Sequence, residues 1–584
     1  MKNIYYSDER NTQIIVSLLK ANNIKHIVTS PGTTHMCFVG SVAHDPFFKL
    51  YSCVDERSAA YMACGIAGEI GEPVVVTCTG ATASRNYYSA LTEAYYRKLP
   101  IIAITAHQGS DRIGHLLDQN IDRRVLPHDI SKKSVEAIWV HDKRDEHYCE
   151  IEVNKAILEC THHGGGPVHI NLFTRYSRNF TVKELPPVQI IKRINGYDKL
   201  PEMISGRIAI FVGSHRKFTD HEIEVIDNFC ATNDAVVFCD HTSGYSGRYG
   251  VHFALVLAQK NHECPQRNLD LLIHIGEVSG DATSRGLRPK TVWRVSEDGE
   301  LRDTWGKLSY IFEMPEFYFF SRYSDENASR HSFLDECRAA INDVNNKVGD
   351  LTLSSIWVAK QFADSLPDNS CFHMGIWSSL RSWNYFETPS TTDGSCNVGG
   401  FGIDGNLSTL IGASQCDEDR IYFGIVGDLA FFYDMNVLGN HHVGNNVRII
   451  VINNGRGNEM RYSFSPASVL KDEGNRFLSA AGHFGNKSKD LIKHFAQDLG
   501  FEYLTASTKE EVLNYKDYFL SRQKYNKPII FEIFEDYDNE QMAFDEITST
   551  VSEKSTTLKN EMKSTIKGLI GNNGVELLNS LLKK

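Results

Sequence analysis

The residues in this chain best able to do chemistry are an acid that follows one apolar run and a pair of amides that follows the next. They are Asp428 in Gly427-Asp428-Leu429-Ala430, and Asn453-Asn454. An Asp carboxylate and an Asn amide oxygen are hard donors of the kind Mg²⁺ takes, its octahedron being completed by phosphate oxygens and water. Backbone N–H groups at the start of a helix behind Asp428 would face a phosphate. The pattern suits a magnesium diphosphate. Each half also has an ordinary use, since Gly-Asp after a strand caps a helix and Asn-Asn makes a turn. The combination of the two is what points to chemistry.

The elements that must hold these tips follow from the flanking residues. Residues 420–426 are short, apolar and β-branched, the signature of a buried parallel strand, and residues 447–452 repeat it. A helical pattern from 429 to 438 connects them, so both polar tips should emerge on one edge of one sheet. A second α/β unit near the amino end carries an isolated acid. There, residues 50–54 read as a strand, and Asp55-Glu56-Arg57 opens a helix lined by Ala59, Ala60, Ala63, Cys64, Gly65 and Ala67, whose small side chains allow close packing. Next come a strand at 73–79, a turn at Gly80-Ala81-Thr82-Ala83, a helix to about 98 and a strand at 100–105. Asp55 and Glu56 would in any case complement the helix dipole.

Ser30-Pro31-Gly32, Asp55-Glu56-Arg57, Cys78-Thr79-Gly80-Ala81-Thr82-Ala83, Gly402-Ile403-Asp404-Gly405 and the diphosphate motif occur in the order found in thiamine-diphosphate enzymes. From about residue 10 to 540 the chain most closely resembles the SEPHCHC synthases of menaquinone biosynthesis. The resemblance implies an α/β fold of three doubly wound parallel-sheet domains: pyrimidine-binding (1–180), middle (188–345) and diphosphate-binding (351–537). A helical extension (538–584) lies beyond it. It also implies thiamine diphosphate and Mg²⁺ as cofactors. Glu56 would hydrogen-bond the aminopyrimidine ring nitrogen and promote the tautomer that deprotonates the thiazolium carbon, work that calls for an apolar pocket raising its pKa. Gly427, Asp428, Leu429 and Asn454 would hold the diphosphate, with Asp428, Asn454 and the backbone carbonyl of Arg456 on the metal. The usual Asp-Gly after the double Asn reads Gly455-Arg456 here, a change that a main-chain ligand tolerates. Ile403 matches the apolar wedge that bends the cofactor, and would serve equally as an ordinary core isoleucine.

The substrate residues depart from the family. Its Ser-Pro-Gly-Ser-Arg-Ser reads Ser30-Pro31-Gly32-Thr33-Thr34-His35, so Thr34 replaces an arginine next to Thr33. Gln108 replaces a second arginine in Thr105-Ala106-His107-Gln108-Gly109, and Val398 a third in Asn397-Val398-Gly399. Neutral side chains cannot replace a bidentate guanidinium on a carboxylate. The chain is therefore expected to have left the isochorismate and 2-oxoglutarate pair. Arg381 matches a retained carboxylate-gripping arginine and Gln119 a polar residue at the reaction centre; a surface arginine and a solvated glutamine are the plainer readings. His107, with His35 and His115, could donate or accept protons.

The 584 residues leave ample volume for several cores. A net charge of −12 and a pI near 6.0 supply no basic stripe for nucleic acid. The 13 cysteines form no Cys-x-x-Cys pair and read as reduced core residues of a cytoplasmic protein. No apolar run is long enough to span a bilayer, so no membrane partner is expected. In the middle region neither Gly213 nor Gly276 opens a GxGxxG fingerprint. The tail carries Ile566, Leu569, Ile570, Leu577, Leu578, Leu581 and Leu582 at near-helical spacing, broken by Gly571-Asn572-Asn573-Gly574, which reads as two short helices packing on the body.

The leading expectation is an enzyme that decarboxylates a small-molecule 2-oxo acid and passes the acyl carbanion to an acceptor. A plain decarboxylase, a non-catalytic cofactor-binding homologue and a nucleotide-dependent oxidoreductase are the alternatives. Because the superfamily places its cofactor between subunits, a homodimer or homotetramer is expected.

Overall fold

A computed structural model describes residues 5–325 and 327–551. These divide into two compact units, one formed by Met1–Lys199 with Asp298–Glu313, the other by Leu200–Glu297 with the chain from Met314 on. The expected helices at 566–582 lie outside the described residues.

The strands run in chain order as β1 (His26–Thr29), β2 (Lys49–Ser52), β3 (Val74–Thr79), β4 (Ile101–His107), β5 (Lys133–Ala137), β6 (Val168–Phe173) and β7 (Lys192–Asn195). They continue as β8 (Ile208–Val212), β9 (Val236–Phe238), β10 (Gly250–Val251), β11 (Asn268–Ile275), β12 (Arg288–Val295) and β13 (Leu308–Glu313). The last six are β14 (Cys371–Met374), β15 (Asp393–Cys396), β16 (Tyr422–Gly427), β17 (Val447–Asn453), β18 (Glu502–Ala506) and β19 (Ile529–Phe534). They build three parallel sheets with interleaved helices, the α/β class that the sequence implies.

In the first unit the order is β2-β1-β3-β4-β6-β5. Both faces are covered. Val75, Ile102 and Ile104 pack into a core with Ile14, Leu18 and Val153, whereas Val74, Val76 and Ala103 pack on the opposite face against Ala59, Ala63 and Ala94. Burial on two faces is why these strands read as continuous apolar runs. The helix Glu56–Ile70 starts at the N-cap Asp55, whose carboxylate accepts from the Ser58 N–H at 2.8 Å. In the same unit β7 pairs in parallel with β13.

In the second unit five strands run β10-β9-β8-β11-β12, all parallel. The last sheet is ordered β15-β14-β16-β17-β19-β18. Counted within its own sheet, it repeats the order of the first sheet, 2-1-3-4-6-5. In such sheets a ligand crevice opens at the carboxyl ends of strands where the order reverses. The reversal lies between β1 and β3 in one unit and between β14 and β16 in the other.

Two expected elements differ in detail. The helix after the Gly80 turn is two helices, Ala81–Arg85 and Tyr88–Arg97, and the helix after Gly427 is Asp428–Asp434 followed by a 3₁₀ stretch, Met435–Gly439.

The first crevice needs a glycine at 32. A Cβ there would lie 2.0 Å from Thr79 Cγ2, at the ends of the neighbouring strands β1 and β3. Gly32→Ala should cost ~1–3 kcal/mol in urea unfolding, the range for overpacking. Thr79→Ser in the same chain removes the clashing methyl and should recover most of the loss; no recovery would place the strain elsewhere.

Candidate active site

Every candidate residue of the first unit sits beyond a parallel strand end. Glu56 follows β2 as the first residue of its helix; it is half-buried, and Asn86 Nδ2 donates to its Oε2 at 3.4 Å. Sequence reasoning passed over Asn86, which lies on the turn between the two helices after β3. Gly80 sits close under β4, where a Cβ would meet Ala106 O at 2.7 Å. Arg123, only 3% exposed, ties β4 to β6 by donating to Ala106 O at 3.3 Å and Asn171 Oδ1 at 2.8 Å; burial pulls its pKa down to about 10.

His107 is the last residue of β4. Nδ1 accepts from Gly109 N–H at 3.1 Å, and Nε2 lies 3.2 Å from Glu136 Oε1, a contact that holds the Glu136 carboxyl below its ordinary range. His35 is buried with Nδ1 3.0 Å from Thr77 Oγ1, and burial lowers its pKa to about 4, so it is neutral at physiological pH. His115 and Gln119 lie on an exposed loop, with Gln119 at a left-handed φ of 58°. Two of the positions expected to face substrate come together through a residue the sequence did not single out. Gln108 Nε2 donates to the Tyr176 hydroxyl, which donates in turn to Thr34 Oγ1 at 3.5 Å. Thr34 is buried and Thr33 exposed. Beside them is a cavity of about 500 Å³ lined by Gln108, Arg112, Phe173, Arg175 and Tyr176 among others.

In the second unit Asp428 opens its helix at the end of β16, 5% exposed. Burial drives its pKa up to about 7, against the opposing pull of the Leu429 and Gly455 N–H groups. Asn454 follows β17. Its Nδ2 donates to Glu535 Oε1 at 3.0 Å, and among the described residues its Oδ1 accepts only a long bond from Arg456 N–H at 3.4 Å. Glu535 follows β19, the strand beside β17, and burial first and the adjacent Glu540 second push it well above the carboxylate range. Among the described residues neither Asp428 nor Glu535 forms an ion pair with a Lys or Arg, and no such side chain is among the leading influences on either carboxyl. Two buried carboxyl groups without a counter-cation and an amide oxygen almost free of donors form a donor set that fits a hard divalent ion. Gly455 takes φ +78°, and Asn486 Nδ2 donates to its carbonyl. Arg456 turns its guanidinium onto the Tyr537 ring, 3.7 Å from the centroid, which leaves the residue to contribute through its main chain.

Ile403 is half-buried against the core containing Leu407 and Phe431, and its carbonyl accepts from Asn406 Nδ2 at 3.2 Å. Nearby, Trp377 and Phe401 both take left-handed φ values, 66° and 53°, and meet edge to face at 5.0 Å. Two bulky residues in that region mark a strained segment of the kind that collects at functional sites. Leu429 is half-buried, with Gly457 packed so close that a Cβ there would lie 3.1 Å from Leu429 Cδ2, and Val398 is buried beside Gly280. Arg381 is committed within the chain: Nη2 donates to Glu459 Oε1 at 2.5 Å, and Tyr462 and Phe464 stack at 5.0 Å. Burial opposes its charge most strongly of any single influence, but the Glu459 carboxylate together with Tyr462 and Tyr385 outweighs burial and raises its pKa.

Residues 10–126 match the family model described as thiamine pyrophosphate enzyme, N-terminal TPP binding domain. The chain is similar to the 2-succinyl-5-enolpyruvyl-6-hydroxy-3-cyclohexene-1-carboxylate synthase of Bacteroides thetaiotaomicron, 30% identical over 551 residues, covering 91% of this chain and 96% of that protein. The synthase of the same name from Phocaeicola vulgatus is 30% identical over 92% of this chain and 97% of its own, and that of Bacteroides fragilis 30% over 91% and 96%.

Breaking the Arg381–Glu459 pair from either side should leave a buried charge alone and cost ~3–5 kcal/mol. Arg381→Ala and Glu459→Ala should each lower stability by that order, and the double variant by much less than their sum. Additive losses in a denaturation cycle would show that the pair does not hold Arg381 in place.

Proposed function

We infer the reaction from one premise: the chain belongs to the family of thiamine pyrophosphate enzymes represented by the 2-succinyl-5-enolpyruvyl-6-hydroxy-3-cyclohexene-1-carboxylate synthases. It decarboxylates a 2-oxo acid and transfers the remaining acyl group to an acceptor, with Mg²⁺ as the second cofactor. The observation that carries this reading is the shared strand order of two sheets with Glu56 beyond one and Asp428 with Asn454 beyond the other.

Thiamine pyrophosphate, when bound, supplies the carbon nucleophile and electron sink of the reaction. The residues of this chain supply position and charge. Asn86 donates to one oxygen of Glu56, and the other oxygen would be free to hold a proton for a pyrimidine ring nitrogen when the cofactor is bound. Asp428, Asn454 and the Arg456 carbonyl hold the cation, which offsets the charge that burial leaves uncompensated at Asp428 and Glu535. Ile403 props the cofactor. Gln119 and His107 act at the reaction centre, His107 after its Glu136 contact opens.

Loss of arginine at Thr34, Gln108 and Val398 favours a substrate pair other than isochorismate and 2-oxoglutarate. Arg112 and Arg175 in the neighbouring cavity are the guanidinium groups on hand for a substrate carboxylate. Arg381 serves substrate only if it leaves Glu459. Simple decarboxylation remains the second reading, and transfer is preferred because the relatives are named as synthases.

The active assembly is a homodimer or homotetramer in the cytoplasm. Val54 (79% exposed), Tyr61, Met62, Leu116 and Val125 (87% exposed) leave apolar surface on the loops and helix around Glu56, which a second copy would cover. Among the described residues no helix is long and apolar enough to cross a membrane.

Glu56→Gln should abolish 2-oxo acid-dependent CO₂ release while leaving thiamine pyrophosphate affinity within a few-fold of the parent; full turnover would remove the proton-transfer role. Asp428→Ala should instead lose retention of both thiamine pyrophosphate and Mg²⁺ on gel filtration, and unchanged retention would overturn the metal assignment. Screening 2-oxo acids with and without aldehyde or enone acceptors reads donor and acceptor directly. Sedimentation should find no active monomer.

A further inference from the structure

We propose that the first unit carries a transition-metal site of the zinc type, built by His162, His163 and Glu313 and independent of the cofactor. The ligands come from a turn after the helix Lys143–Thr161 and from the end of β13. Their donor atoms all lie within 4.8 Å of one another.

The backbone makes the pair of histidines converge. Successive side chains in a helix or strand diverge, but His163 takes φ 46° and ψ 53°, and Gly164 and Gly165 continue the turn at φ +85° and +86°. The two imidazoles consequently stack with centroids 3.7 Å apart. A non-glycine residue in this region of backbone space costs on the order of 1 kcal/mol or more, which the fold must offset. Glu313 receives both rings: His162 Nε2 lies 3.0 Å from Oε2, and His163 Nε2 lies 2.9 Å from Oε1. Each imidazole meets a different oxygen of Glu313; donor atoms about 2.0–2.2 Å from a tetrahedral zinc stand ~3.3 Å apart, so the three donors, all within 4.8 Å of one another, need only a small adjustment to load.

The tautomer is set for metal. His162 Nδ1 lies 2.9 Å from Glu159 Oε2, the carboxylate–histidine arrangement that fixes the proton on one nitrogen and turns the other toward a cation. His162 is 10% exposed, and its Nε2 is buried with no partner in hydrogen-bond geometry among the described residues, despite its closeness to Glu313. Lys132 Nζ is 3.2 Å from Glu159 Oε1, and Arg193 Nε is 3.9 Å from Glu313 Oε2. These cations steady the carboxylates and reduce the affinity relative to an all-acid site. Gly299 lets the Glu313 stem pack closely, since a Cβ there would lie 2.8 Å from Cγ. Two imidazoles and one carboxylate select a borderline divalent ion over Mg²⁺ or Ca²⁺, with water in the remaining position.

The test uses the full chain, stripped with chelator, desalted, and titrated with Zn²⁺ alone in the absence of thiamine pyrophosphate and magnesium. One zinc per chain should survive dialysis. His163→Ala, at a 70% exposed side chain, and Glu313→Gln should each weaken binding at least ~10-fold. Glu159→Gln should weaken it about 10–100-fold by releasing the tautomer. Asp428→Ala should leave zinc retention unchanged. Absence of retained zinc in the parent chain, retention unaltered in the His162→Ala/His163→Ala variant, or loss in Asp428→Ala alone would each overturn the site.

Discussion

The parallel strand edge is the constraint on which the rest depends. A parallel strand buried on both faces is mostly apolar, and the polar residues within it, such as Asn171 and Glu532, are tied up by hydrogen bonds inside the core, so polar groups free for chemistry gather where the strand stops. Glu56 lies beyond β2, Thr79 and Gly80 at β3, His107 at β4, Asp428 at β16, Asn454 at β17 and Glu535 at β19. The two sheets share one strand order, so the same geometric rule places an acid beyond a strand end in each unit, Glu56 in one and Asp428 in the other. Glycines keep the edge narrow, Gly32 against the Thr79 side chain and Gly80 against the backbone carbonyl of Ala106.

Charge beyond that edge is balanced in three different ways. Arg381 and Glu459 neutralise each other inside an aromatic cage, and the arginine is thereby removed from the surface. Arg123 is satisfied by neutral oxygens of β4 and Asn171. Among the described residues Asp428 and Glu535 have no Lys or Arg ion-pair partner, and burial pushes both toward the protonated form. A bound divalent ion would reverse that tendency, so loading the site and ionising it are one event.

The positions at which the resemblance expects arginines carry a different set of contacts. Where the resemblance calls for guanidinium groups, Thr34 and Gln108 meet through the Tyr176 hydroxyl, a neutral hydrogen-bonded chain suited to a polar, uncharged group. The remaining arginines, Arg112 and Arg175, line a cavity one step further along the edge. A zinc-type site in the same unit would cross-link the turn at 162–166 to β13 and stabilise the unit without touching this chemistry.

The sequence by itself determined where strands end and which polar residues stand there, because an apolar β-branched run followed by a polar stop is a local pattern. It also carried the order of motifs that places the chain in its family. Even the small-residue face of the helix Glu56–Ile70 was legible, from Ala59, Ala63 and Ala67. Only the tertiary structure decided which partner each polar residue keeps: Asn86 for Glu56, Glu535 for Asn454, Glu459 for Arg381, Tyr176 between Thr34 and Gln108, and Glu313 for two histidines. These partners come from elements far apart in the chain, brought together by strand order and helix packing. Hydrophobic periodicity records which face of an element is buried, but not which distant element will cover it.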